Sequence, residues 1–299
     1  DELINNITEQ LKFGFKDKYI AYRNGSKYTI KYQPIELEES SSHAFRENGV
    51  YVIIGGLGNI GLNIAKLLNE EYRAKLILTS RSDFPERDNW NDWLATHEKD
   101  DAISVKIRTL LELIQKGSEI LVSSCEISDQ SSLKFVFDSA EKKFGKINGV
   151  VHSAGKVTKK SIEELDNSEI EMQFKSKIYG MLALKEVVSN RELDFVVLVS
   201  SLSSVLGGIG FGAYSSANNY MNSICYDLNR SQNKKIWKSV SWQAMNDKQT
   251  IEGMKRSFLV KNIEELVVVK GGDLETKLQQ WIINIKDVAK REKKIGKVK

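Results

Sequence analysis

The chain has 299 residues, 41% of them hydrophobic, and a net charge of +4 from 44 basic and 40 acidic side chains. That is the composition of an ordinary globular protein, long enough for one large domain or two small ones. Two cysteines, Cys125 and Cys225, and three dispersed histidines, His43, His97 and His152, argue against a disulfide framework and a zinc cluster.

The densest basic run, residues 290–299, reads as a solvated tail rather than a nucleic-acid patch, so no nucleic-acid partner is inferred. No run of about 18 apolar residues occurs, and the first ten residues lack the basic and apolar regions of a signal peptide. The chain reads as soluble and cytoplasmic, with no membrane partner.

Residues 1–49 carry one hairpin signal, an alternating run centred on Asn24-Gly25, then a polar linker at 36–42. This piece is too small for an independent domain; it either packs against the main domain or belongs to something larger. From Val50 onward, short β-branched runs alternate with helical patterns, at 50–54, 75–80, 119–124, 147–152, 194–200, 237–242 and 266–269. Continuous apolar strands between amphipathic helices imply an α/β fold, a Rossmann-like doubly wound parallel sheet of about seven strands spanning residues 50–272. The long connection at 82–118 has helical spacing in two places and reads as a helical insertion on the rim. Residues 273–299 read as an amphipathic helix running into a charged tail.

The run Gly55-Gly56-Leu57-Gly58-Asn59-Ile60-Gly61 comes directly after the first apolar strand and opens a helical pattern. Glycines there permit a tight turn and close backbone approach, and a helix N-terminus offers amides to a pyrophosphate. The bland reading is a structural turn; the strand-loop-helix context favours dinucleotide binding. The next strand ends at Ser80-Arg81, with no carboxylate for ribose hydroxyls, so Arg81 either pairs with a 2′-phosphate, which points to NADPH, or forms a surface salt bridge, Asp83 being the counter-evidence. The third strand leads to Glu126-Ile127, with Glu126 near the adenine edge. The fourth leads to Ser153-Ala154-Gly155, small residues that let a cofactor lie close to the backbone. His152 reads as a core residue.

Ser201 ends the fifth apolar strand, and Tyr214 stands thirteen residues later, four before Asn218 on the same helix face. A phenol and a hydroxyl can thus converge on one carbonyl oxygen, an arrangement suited to carbonyl reduction.

Together GGLGNIG, HSAG, the serine-to-tyrosine spacing and YSSAN resemble the short-chain dehydrogenase/reductase superfamily. The narrower resemblance is to a ketoreductase domain of a modular polyketide synthase. Most superfamily members have lysine where Asn218 stands; polyketide ketoreductases exchange the two, and Lys177, in a Lys-x-x-Gly context, matches their lysine whereas Lys175 does not.

The resemblance implies that Tyr214 protonates the substrate oxygen, Ser201 orients it, Lys177 contacts the nicotinamide ribose and lowers the tyrosine pKa, and Asn218 completes the relay. It also implies NADPH, a 3-oxoacyl thioester on the phosphopantetheine arm of an acyl carrier protein, and neighbouring synthase domains. Residues 1–49 would be the end of the family's structural half, and the long insertion and Lys-rich style are similar to bacterial lines with free-standing acyltransferases. The chain departs from the family's stereochemical markers: Val157-Thr158-Lys159 stands for Leu-Asp-Asp, and Leu206 for the marker tryptophan, which leans toward the A-type alcohol. Lys156, Lys159 and Lys160 form a basic lip, either a solvated loop or a face for an acidic carrier. The alternatives are a free-standing reductase of small ketones, and a non-reducing module that binds cofactor or carrier, or epimerises.

Overall fold

The computed structural model describes residues 2–13, 20–30, 32, 45–231, 236–243, 246–259 and 267–269. The expected linker at 36–42 and the C-terminal helix beyond 272 lie outside these residues. The chain divides into two compact units, residues 1–38 and 39–299.

In the first unit, α1 (Glu2–Phe13) precedes the antiparallel strands β1 (Ile20–Arg23) and β2 (Ser26–Thr29). Asn24 and Gly25 have φ of 48° and 74°, the left-handed pair that a two-residue hairpin turn requires. The Tyr22 hydroxyl donates to the Asn6 carbonyl at 3.4 Å, and Lys27 Nζ to Gln10 Oε1 at 3.0 Å, tying hairpin to helix. Helix α1 was not anticipated: its apolar residues Leu3, Ile4, Ile7 and Leu11 recur at helical spacing, yet all are exposed.

The second unit is built on strands β3 (Val50–Ile54), β4 (Lys75–Ser80), β5 (Ile120–Ser124), β6 (Gly149–His152), β7 (Phe195–Ser201), β8 (Ile236–Trp242) and β9 (Val267–Val269). They form one parallel sheet in the order β5-β4-β3-β6-β7-β8-β9. The helices are α2 (Asn59–Tyr72), α3 (Trp90–Thr96), α4 (Ala102–Gln115), α5 (Gln130–Phe144), α6 (Asn167–Phe174), α7 (Gly180–Val188), α8 (Ser203–Leu206), α9 (Gly212–Arg230) and α10 (Asp247–Leu259). The Rossmann-like doubly wound fold is thus present.

Both faces of the sheet are covered, which is why its strands are apolar without alternation. Val50, Val52 and Ile54 of β3 join one core with Phe137 of α5, Leu184 of α7, Leu228 of α9 and Trp237 of β8. On the other face α2 packs against α10, and Asn69 of α2 donates to the Leu113 carbonyl of α4 at 2.8 Å. Helix α4 therefore differs from a rim insertion. Asp101 caps it by accepting from the Ile103 and Ser104 amides, and Ile107, Leu110 and Leu113 are buried, because two parallel strands need a covering crossover between them. The strand order reverses between β3 and β6, opening the crevice in which such sheets bind ligands.

Candidate active site

The residues nominated from the sequence lie at the strand ends of this sheet (Ser80, Ser201), in the loops and helix starts that follow them, on the π turn after α6, or on α9. The loop between β3 and α2 is held by sterics that only glycine satisfies. Gly55 has φ of 75°, and a Cβ there would lie 2.7 Å from the Ala154 backbone; a Cβ at Gly61 would lie 2.5 Å from the Gly55 carbonyl. Ser153 locks the facing strand end, its amide and Oγ donating to the Ile54 carbonyl at 2.8 and 2.9 Å. Leu57 turns into the core while Gly58 and Asn59 are exposed and Ile60 is half-buried. Gly58 caps α2 with no side chain, and the first turn carries no acid, so amides and partial positive charge face the crevice. This cradle fits a pyrophosphate.

Ser80 and Arg81 come next, at the end of β4. Arg81 is exposed, makes no ion pair among the described residues, and lines a cleft of about 580 Å³ with Ser128, Glu171, Lys175 and Tyr179. Asp83 does not engage it. A free guanidinium at the second strand end fits a 2′-phosphate. Behind two of the cleft's lining residues, Glu126 accepts from Ser128 Oγ and pairs with Lys175 Nζ, both at 3.0 Å. Burial alone would raise its pKa, but those two partners hold the carboxyl below its usual range. Ile127 is buried, so only its backbone is open to a ligand.

Beyond α6 the helix loosens into a π turn, Lys175–Tyr179, which sets Lys175 toward the cleft and Lys177 inward. Lys177 is buried, and its Nζ donates to the Val199 carbonyl of β7 at 2.6 Å. A Cβ on Gly155 would lie 2.6 Å from Lys177 Cε, so that glycine makes room for the lysine to cross. Burial pushes the ammonium pKa down to about 7. His152, also buried, has Nε2 3.0 Å from the Ser176 carbonyl; burial first, and the Lys177 charge second, push it down to about 3. A neutral imidazole with one nitrogen on a carbonyl is a core residue, in keeping with its place in the sequence.

Ser201 stands at the end of β7, and α9 packs against both β7 and the π turn. Tyr214 is half-buried on the first turn of α9, its ring 6.3 Å from that of Phe211. Asn218 is fully buried; its Nδ2 donates to the Tyr214 carbonyl at 2.8 Å, and its Oδ1 has no partner. An orphaned buried acceptor is costly unless a water or ligand fills it. Tyr214, Ser201, Lys177 and Asn218 thus belong to three mutually packed elements, while Arg81 lines the cleft at the other end of the π turn.

Two lysines of the basic lip have partners. Lys160 Nζ pairs with Glu169 at 3.0 Å, its amide donates to the Gly210 carbonyl at 3.1 Å, and Lys159 Nζ lies 5.3 Å above the Phe211 ring. The sequence pattern sets Lys175 aside and does not mark Ser203. Lys175 sat two positions from Lys177 without the matching context, and Ser203 was one hydroxyl among several; only folding singles either out.

A doubly wound sheet with a glycine cradle, a buried lysine beside the fifth strand and a serine-tyrosine edge defines a nicotinamide-dependent oxidoreductase class. The profile of the KR domain family matches residues 49–247. The chain belongs to that family: it is a ketoreductase domain of the modular polyketide synthase type, within the short-chain dehydrogenase/reductase superfamily, an oxidoreductase acting on a ketone. It is 30% identical over 237 residues to polyketide synthase PksN of Bacillus subtilis, an alignment that covers 77% of this chain and 4% of that protein. It is 28% identical over 231 residues to PksM of the same organism, covering 77% and 5%. The chain therefore spans a small fraction of the curated relatives it matches. Among solved structures it superposes on a ketoreductase domain from the bacillaene assembly line with TM-score 0.75 at 24% identity, covering 94% of this chain and 68% of that one. An N-terminal ketoreductase from the macrolactin assembly line gives 0.68 at 24%, covering 85% and 49%.

Proposed function

We propose that this domain reduces a 3-oxoacyl thioester, presented by an acyl carrier protein, to the hydroxyacyl thioester, with NADPH as the cofactor. The observation that carries the reading is the buried Lys177 ammonium, inserted between Gly155 and β7 and directed at the strand whose end is Ser201. A cation at that depth has no structural partner beyond one carbonyl, and it stabilises negative charge on a phenol or a ribose-bound proton relay.

The cradle at Gly55–Gly61 and the amides of α2 hold the pyrophosphate, and Arg81 takes the 2′-phosphate. Glu126 and the Ile127 backbone meet the adenine edge, with Ser153, Ala154 and Gly155 lining the floor. When bound, the nicotinamide supplies the hydride to the carbonyl carbon. Ser201 donates a hydrogen bond to the carbonyl oxygen, and Tyr214 gives its phenolic proton to that oxygen as the alcohol forms. Lys177 lowers the cost of the resulting phenolate, and Asn218 Oδ1 accepts from the water or hydroxyl that refills the proton. The thioester, the carrier and the neighbouring domains are supported by the likeness to polyketide synthases.

Tyr214→Phe should reduce NADPH oxidation with a 3-oxoacyl thioester surrogate by roughly a thousandfold or more while leaving the NADPH Kd within about threefold. Turnover near the parent rate would overturn the assignment.

A further inference from the structure

The segment leaving β7 carries more hydroxyls than the proposed chemistry uses. Ser201 Oγ accepts two hydrogen bonds, one from the Ser203 amide at 3.2 Å and one from Ser203 Oγ at 3.0 Å. A serine hydroxyl has two acceptor lone pairs and one proton. With both lone pairs occupied, the Ser201 hydroxyl can enter a further hydrogen bond only as a donor.

The backbone beneath is fixed by a second, buried set. Ser204 Oγ donates to the Ser201 carbonyl at 2.7 Å, accepts from Asn222 Nδ2 at 3.0 Å and lies 3.1 Å from Ser241 Oγ. Asn222 Oδ1 in turn accepts from Ser239 Oγ at 2.6 Å. Because the Ser204 proton is already committed to Ser201, the Ser241 hydroxyl is the donor in their contact, and Ser204 is saturated. The turn that presents Ser201 is therefore held from below, and its Oγ is oriented from the side.

We infer that Ser203 is a positioning residue that directs the Ser201 hydroxyl proton at the substrate carbonyl oxygen. A serine with vacant lone pairs could accept a hydrogen bond from the Tyr214 hydroxyl and turn it away from the substrate. Filling both lone pairs removes that competitor, and each bond received strengthens the one donated. Ser203 touches neither substrate nor cofactor in this scheme; it acts through Ser201, and its role rests on the one proposed for Ser201.

The test is a double-mutant cycle on the whole domain, read by steady-state kinetics with a 3-oxoacyl thioester surrogate and by direct NADPH titration. Ser203→Ala should lower kcat roughly five- to twentyfold with KM and the NADPH Kd within about twofold, the loss of one hydrogen bond made in the transition state. Ser203→Thr, which keeps the hydroxyl, should restore kcat to within about threefold. In a Ser201→Ala background, Ser203→Ala should have no further effect. Parent kcat in Ser203→Ala, or a full additional loss in the Ser201→Ala background, overturns the inference while leaving the proposed reduction standing. Parent activity in Ser201→Ala alone overturns the role of Ser201 and, with it, this inference. Should the alanine variant not fold, Ser203→Cys, near in size but a weak donor, takes its place, and parent turnover in it overturns the proposal.

Discussion

At the scale of the residue, the proposed cofactor choice and proton supply rest on single side chains with different neighbours. Arg81 is exposed and makes no ion pair among the described residues, so its loss removes a charge without breaking a contact of the fold. Arg81→Ala should weaken NADPH by roughly tenfold or more, as expected for a lost charge-assisted contact, and leave NADH nearly unchanged. Parallel titrations of the two cofactors check this, and equal losses would remove the phosphate role. Gly155 is the opposite case, packed against its partner. A methyl there would lie 2.6 Å from Lys177 Cε, so Gly155→Ala should displace the lysine and lower kcat more than it weakens cofactor binding. A variant with normal kcat would show that the lysine position is not critical.

At the scale of the element, the π turn and the end of β6 form one unit. The extra residue per turn rotates Lys177 inward, where its charge depresses the neighbouring His152 already burdened by burial. His152 has a pKa of about 3 against an ordinary 6.5, so the unfolded chain binds the proton first as pH falls. Stability contributed by the neutral ring is fully present above about 6.5 and is lost progressively toward 3. At about pH 5 the loss amounts to about 2 kcal/mol as an upper figure. Urea midpoints should therefore fall further between neutral and mildly acidic pH in the parent than in His152→Gln. Identical slopes would place the acid sensitivity elsewhere.

At the scale of the whole molecule, the sheet carries a packed core that includes Trp237 of β8, which is among the largest fully buried side chains. Trp237→Ala should cost about 3–5 kcal/mol and lower Tm by roughly 6–20 °C, without the kcat-specific signature of the site variants. Thermal melts of apo protein check the first part and kinetics of the folded fraction the second.

Much of this protein is written in local pattern. Strand boundaries at 50–54 and 75–80, the Asn24-Gly25 turn and the glycine loop arise from β-branched runs and from backbone angles that glycine and asparagine supply, and these are short-range properties of the chain. The placement of Ser201 at a strand end and of Tyr214 and Asn218 on the helix after it was likewise legible, because a strand and the helix that follows it fix that separation. Tertiary structure decided the rest. It alone made α4 a crossover helix, since coverage of β4 and β5 depends on where the strands pair and not on the helix's own periodicity. It paired Lys175 with Glu126, turned Lys177 inward through a π turn, and gave Ser203 to Ser201 as a double donor. Charge pairs and hydroxyl orientation depend on atoms brought together from distant parts of the chain, and no sequence period records them.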